Sequence, residues 1–83
     1  MSNIENPTAS SIGENIKALR KNLGITQTEL ADRISALSGE PHSASTISAW
    51  ERGTRSIFAT DAYFLAQALE TSLESLYVYT RAR

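Results

Sequence analysis

The chain has 83 residues, 41% of them hydrophobic, no cysteine, one histidine and a formal net charge of −1. This length suits one small domain and not two, and the composition excludes disulfides, thiolate metal sites and a metal site formed by His42 alone. No apolar run reaches membrane-spanning length or resembles a signal peptide, so we expect a soluble cytoplasmic protein with no cofactor. The slight acidity disfavours nucleic-acid binding unless basic side chains form a local patch.

The sequence predicts one all-α domain with flanking segments. Residues 1–10 are polar, contain Pro7 and show no period, which is typical of a flexible arm. The domain is predicted to span residues 11–79, and residues 80–83 form a short tail. Helical spacing of apolar residues recurs through the domain, β-alternation does not, and the sequence predicts five short helices.

Capping boxes mark the predicted starts of the first two helices. Ser11 with Glu14, and Thr26 with Glu29, have the spacing at which a hydroxyl and a carboxylate cap each other's backbone N–H. Apolar residues then follow on one face of each helix: Ile12, Ile16, Leu19 and Leu23 in the first, and Leu30, Ala31, Ile34 and Leu37 in the second. Gly24 is predicted to end the first helix, and Gly39 with Pro41 is predicted to end the second.

The third predicted helix lies between Ser43, a good N-cap, and Gly53, a good C-terminal residue. Ile47 and Trp50 lie three positions apart and share one face, so we expect both in the core, and Trp50 is not expected to stack on a base. The opposite face is small, polar or basic: Ala44, Ser45, Ser48, Ala49 and Arg52. The pattern predicts a helix that packs by one face and presents the other.

Two further helices complete the domain. Residues 59–69 are rich in alanine, leucine and aromatic residues, which favours a well-buried fourth helix. Thr71 and Glu74 have the spacing of a third capping box. The final helix then carries an apolar stripe: Leu73, Leu76 and Tyr77.

Two central motifs resemble the Cro/repressor-type helix-turn-helix family, also called XRE or lambda-repressor-like. They are ITQTELA at residues 25–31 and STISAWERG at residues 45–53, and the resemblance covers roughly residues 12–77. It implies a five-helix, lambda-repressor-like bundle in which the third helix enters the major groove of double-stranded DNA and the second crosses the backbone.

The resemblance also implies roles for individual residues. Nine residues match DNA-contacting positions: Gln27, Thr28, Ala44, Ser45, Thr46, Ser48, Ala49, Arg52 and Arg55. The first two would meet a phosphate at a helix start, the next five lie on or beside the base-reading face, and the two arginines would return to the backbone. Arg20 and Glu51 match the positions of a structural ion pair.

Two departures from the family pattern affect this interpretation. Relatives join the two helices by a turn of about three or four residues, whereas here Ser43 follows Ala31 by 12 positions, about twice the spacing of the family pattern. Ser35 replaces the usual turn glycine, and we expect a second helix prolonged through Leu37 and a loop over residues 38–42. In addition, the alanines at base-reading positions cannot hydrogen-bond to bases.

The sequence therefore favours a sequence-specific DNA-binding transcriptional regulator, with repression as the expected mode. The alternative is a protein-interaction module, such as an antitoxin or adaptor, because the net charge is −1 and the base-reading side chains are weak. No nucleophile–base motif or glycine-rich phosphate loop is present, so we do not expect an enzyme. Lys17 and Lys21 are predicted to form a solvated face, and His42 to lie on an exposed loop.

A second copy of the chain is the expected partner on DNA. A single weak reading helix favours a homodimer on a near-palindromic site, weak in solution and strengthened by DNA. The C-terminal segment has more apolar area than one helical stripe needs, so we expect part of it to face outward and supply the interface: Leu73, Leu76, Tyr77, Val78 and Tyr79. The alternative is that Val78 and Tyr79 fold back onto the core or fray with the tail.

Overall fold

A computed structural model describes residues 9–77 of the chain. This range contains five α-helices and no β-strand, which confirms the predicted all-α class. The helices are α1 (Ala9–Leu23), α2 (Gln27–Ser38), α3 (Ala44–Arg52), α4 (Ala59–Ala68) and α5 (Leu73–Tyr77). In the described range no helix has the length and apolar character needed to cross a membrane.

The first helix starts earlier than the capping pattern indicates. α1 begins at Ala9, so Ser11 lies inside the helix and the predicted cap at that residue is wrong. Neither alanine nor serine breaks a helix, so the two residues before Ser11 continue the helical backbone. The predicted arm over residues 1–10 therefore loses its last two positions to α1, and residues 1–8 lie outside the described range.

The caps of α2 and α3 follow the sequence pattern closely. The Thr26 hydroxyl accepts from the Glu29 N–H at 3.0 Å, and the Glu29 carboxylate accepts from the Thr26 N–H at 2.8 Å. Ser43 caps α3 by accepting from the N–H of Thr46. Gly39 and Gly53 follow the two helices with φ of 77° and 75°, a left-handed conformation that glycine adopts without a Cβ penalty.

The cap of α5 is shifted by one residue from its predicted place. The Ser72 hydroxyl accepts from the Ser75 N–H at 3.3 Å, so the predicted capping box of Thr71 with Glu74 is wrong. The N–H of Thr71 donates to the Ala66 carbonyl at 2.9 Å and belongs to the turn that ends α4. Ser72 is consequently the first residue available to cap α5.

The core receives side chains from every helix in the described range. α3 packs against α1 and α2, α4 packs against α2 and α5, and α5 also packs against α1. Seven large side chains are fully buried at the centre: Ile16, Leu30, Ile34, Ile47, Trp50, Leu65 and Leu76. Ile47 and Trp50 hold one face of α3 inside the domain, as the sequence predicts.

The N-terminal part of α1 crosses the C-terminal end of α3 in close backbone contact at Gly13. A Cβ atom built on Gly13 would lie 2.5 Å from the carbonyl oxygen of Glu51 and closer still to that of Trp50. Real side chains do not tolerate such distances, so only glycine permits this approach. Gly13 therefore sets the separation between α1 and α3.

The connection between α2 and α3 is lengthened, as expected from the sequence. α2 continues to Ser38, one residue beyond the predicted end, and α3 begins only at Ala44. The Ser35 hydroxyl donates to the Ala31 carbonyl and accepts from the His42 N–H, both at 2.8 Å. The longer connection is thereby fastened to the last turn of α2.

Candidate nucleic-acid interface

The outward face of α3 combines small, hydroxyl-bearing and basic side chains. We define this outward face by five residues: Ala44, Ser45, Ser48, Ala49 and Arg52. Ser45 and Arg52 are exposed, the other three are half-buried, and Thr46 lies half-buried beside them. The one acidic residue of α3, Glu51, is turned into the domain. A surface without bulk and without negative charge allows close approach to a polyanion.

Glu51 is neutralised inside the domain by Arg20 of α1. Arg20 Nε donates to Glu51 Oε2 at 2.6 Å, and Arg20 Nη2 donates to Oε1 at 3.1 Å. The ion pair implied by the resemblance is therefore present, with two parallel hydrogen bonds, and the Glu51 side chain is only 3% exposed. The hydrogen bond that Arg20 donates to Glu51 raises the pKa of Arg20 above its usual value. Arg20 Nη1 also donates to the Ile25 carbonyl at 2.9 Å.

Gln27, at the start of α2, joins the same network. Its Nε2 donates to Glu51 Oε1 at 3.0 Å. The family resemblance implies that this amide meets a phosphate. The structure gives one of its two N–H groups an internal acceptor and leaves the second for another partner. Arg20, Glu51 and Gln27 thus link α1, α2 and α3 at the end of the outward face.

The start of α2 supplies further hydrogen-bond donors. The backbone N–H groups of Gln27 and Thr28 lie in the first turn, where no intrahelical acceptor exists. Thr28 is exposed. Amides at a helix start, with the positive end of the helix dipole, are suited to binding an anionic oxygen.

Arg52 and Arg55 are the exposed basic residues at the end of α3. Arg52 Nε donates to the Ser48 carbonyl at 3.3 Å, along the helix surface. Within residues 9–77 neither arginine forms an ion pair, so both guanidinium groups remain available to an external anion.

His42 lies on the predicted loop between α2 and α3, but its own side chain is half-buried and not exposed as expected. Its side chain is 13% exposed, and Nε2 lies 3.8 Å from Asp61 Oδ1 on α4. The ring centroid lies 6.1 Å from that of Trp50. A single loop residue shows no periodicity, so the sequence does not predict that this side chain is partly buried. The sequence does not predict the close backbone contact at Gly13 either.

The C-terminal apolar stripe divides between core and surface. Leu76 is fully buried, so its predicted place in a dimer interface is wrong: α5 lies against α1 and α4 and turns this side chain into the core. Leu73 is 45% exposed and Tyr77 is half-buried. Val78 and Tyr79 lie outside the described residues.

The five-helix arrangement, with a capped helix presented beside the start of α2, defines a helix-turn-helix bundle. A helix-turn-helix family model, HTH_3, matches residues 16–76. The chain belongs to this helix-turn-helix family, and its resemblance to Cro/repressor-type proteins is confirmed. A search of curated proteins with this sequence finds no match.

Solved structures with the same fold include proteins of gene regulation. The P22 c2 repressor in complex with a synthetic operator is 33% identical with a TM-score of 0.67, over 80% of this chain and 91% of that one. The restriction-modification controller protein C.AhdI from Aeromonas hydrophila is 28% identical with a TM-score of 0.68, over 83% and 91%. The clp gene regulator ClgR from C. glutamicum shares the fold at 22% identity and a TM-score of 0.72, over 82% and 80%.

Proposed function

We propose that this chain is a transcriptional repressor that binds double-stranded DNA sequence-specifically through α3 in the major groove. One observation carries the proposal: α3 buries Ile47 and Trp50 and pairs its one acid internally, so the face that it presents is small, polar and basic. Membership of the helix-turn-helix family supports it. So does the likeness to the P22 c2 repressor, whose structure holds an operator.

The exposed groups divide into phosphate-binding and base-contacting sets. The N–H groups at the start of α2, the free amide N–H of Gln27 and the Thr28 hydroxyl would bind one phosphate. On α3 the hydroxyls of Ser45, Thr46 and Ser48 would meet base edges. The methyl groups of Ala44 and Ala49 suit thymine methyls. Arg52 and Arg55 would then contact phosphates beyond the far end of the helix.

Selection of bound sequences from a random duplex pool tests the proposal directly. We expect a short enriched sequence whose affinity exceeds that of random duplex and falls steeply with salt. An unenriched pool, together with little duplex affinity at low salt, would overturn the proposal and favour the protein-interaction alternative.

Replacing Arg52 or Arg55 with alanine should weaken all duplexes by similar factors. Each lost phosphate contact should reduce the slope of log affinity against log salt by about 0.9. Titrations of selected and random duplexes at several salt concentrations measure both quantities. Lys17→Ala is the matched control, because Lys17 is an exposed cation on α1 that is predicted to be solvated. A loss confined to the selected sequence would instead assign base readout to the arginine.

We further propose that two protomers bind one near-palindromic site, with their α3 helices about 34 Å apart. Leu73 with Tyr77 on α5 is the surface that supports pairing, since Leu76 is buried.

Sedimentation should show monomers at low concentration and two protomers on a selected duplex. Leu73→Glu should abolish the second protomer. Leu37→Glu should not, although Leu37 on α2 is equally exposed at 46%. One protomer per duplex at every concentration would contradict pairing.

A further inference from the structure

The connection between α2 and α3 is longer than a usual helix-turn-helix turn, and its contacts bear on the direction of α3. In relatives a turn of about three or four residues restricts the angle between the two helices by its shortness. Here residues 39–43 separate α2 from α3, and α2 itself runs to Ser38. A longer connection permits somewhat more arrangements, and contacts made by its residues can add to the restriction that its length provides.

His42 makes those contacts directly before the N-cap of α3. Its backbone N–H donates to the Ser35 hydroxyl on α2 at 2.8 Å. Its ring Nδ1 lies 2.9 Å from the Glu40 carbonyl oxygen within the connection. A carbonyl only accepts, so Nδ1 carries a proton and Nε2 is the nitrogen that faces Asp61.

The other side of the ring meets α3 and α4. Nε2 lies 3.8 Å from Asp61 Oδ1 in the first turn of α4, and the two side chains are 13% and 23% exposed. The ring is tilted against Trp50 at a centroid distance of 6.1 Å. His42 therefore contacts α2, the connection, α3 and α4, and its Nε2 lies within ion-pair distance of the Asp61 carboxylate.

We infer that His42 is a positioning residue that, through Asp61, fixes the orientation of α3 for base contact without touching DNA itself. The inference rests on the proposed function. Base contacts need hydrogen-bond geometry within a narrow range, whereas phosphate contacts by flexible side chains and helix starts tolerate small rotations. Loosening α3 should therefore reduce affinity for the selected duplex more than affinity for random duplex.

The ratio of the affinity for the selected duplex to the affinity for random duplex distinguishes positioning from a merely structural role. Affinities would be measured well below the melting temperature of each variant, so that all of the protein is folded. His42→Asn retains a donor for the Glu40 carbonyl but does not reach Asp61, and Asp61→Ala removes the carboxylate. Each should lower the ratio about tenfold, which is the discrimination of roughly one good base contact. His42→Gln, whose Nε2 reaches Asp61, should restore most of it.

A double-mutant cycle tests whether the two residues act through each other. The variant with both His42→Asn and Asp61→Ala should be no less selective than either single variant. Asp32→Ala is the matched control, since Asp32 is an exposed acid on α2, and it should leave the ratio unchanged. Unchanged ratios in both single variants, or effects that multiply in the double variant, would overturn the inference while leaving the proposed function standing. A wild-type protein without any preferred duplex would overturn both.

Discussion

Replacing Trp50 with alanine should destabilise the domain by roughly 3–5 kcal/mol, because a fully packed aromatic side chain leaves a cavity that the core cannot refill. Trp50 is 2% exposed and lies on the inner face of α3 with Ile47. Its indole Nε1 is buried without a hydrogen-bond partner among the described residues, so packing and not hydrogen bonding makes it stabilising. The loss is comparable with the whole stability of a small domain, so much of the variant should be unfolded.

Urea unfolding followed by circular dichroism measures this loss. Phe58→Ala provides the matched control: Phe58 is also a large aromatic residue, but it is 70% exposed ahead of α4. The control should change the free energy of unfolding by no more than about 0.5 kcal/mol. A Trp50→Ala protein that remained as stable as the control and lost only DNA affinity would place Trp50 on the outward face of α3.

Much of the fold could be predicted because local sequence determines where helices begin and end. Thr26 with Glu29 forms the predicted capping box, and Gly39 and Gly53 end α2 and α3 in the left-handed conformation. These interactions lie within a few residues of one another, so spacing alone identifies them. The same holds for Ile47 and Trp50, whose separation of three positions identifies the buried face of α3.

The features that the sequence did not predict depend on contacts between segments that are far apart in the chain. Gly13 is required because the backbone of α3 lies against it, and no neighbouring residue records that approach. Leu73 and Leu76 share one apolar stripe, and only the packing of α5 on α1 and α4 decides that Leu76 is buried. His42 likewise acquires its partners from α2 and α4.

The candidate site rests on a different kind of argument. A hydroxyl, a methyl group or an arginine on an exposed helix has no intrinsic DNA-binding signature, so spacing alone does not select these residues. The roles assigned to the nine residues come from the family motif and stay predictions, whereas the match over residues 16–76 shows the family itself. The structure adds the internal partner of Gln27, because Glu51 reaches that amide only in the folded chain.

Replacing Arg20 with alanine should also be strongly destabilising, by about 3–5 kcal/mol at the upper end for a buried pair broken on one side. The substitution leaves the Glu51 carboxylate buried and without its charged partner, with the Gln27 amide still donating to it, and it removes the donor to the Ile25 carbonyl.

Two further variants separate the loss of charge pairing from the loss of an arginine. Arg33 of α2 pairs with Glu70 at 3.3 Å and also donates to the Ala68 carbonyl at 3.0 Å, but its side chain is 40% exposed and that of Glu70 is 65% exposed. Arg33→Ala should therefore cost only about 1–2 kcal/mol, less than Arg20→Ala. The double variant Arg20→Met with Glu51→Leu should recover much of the stability lost in Arg20→Ala, because no buried charge is left unpaired. The urea midpoints of Arg20→Ala, Arg33→Ala and the double variant, each compared with wild type, test whether the pair stabilises the domain. An Arg20→Ala midpoint equal to that of wild type would show that it does not.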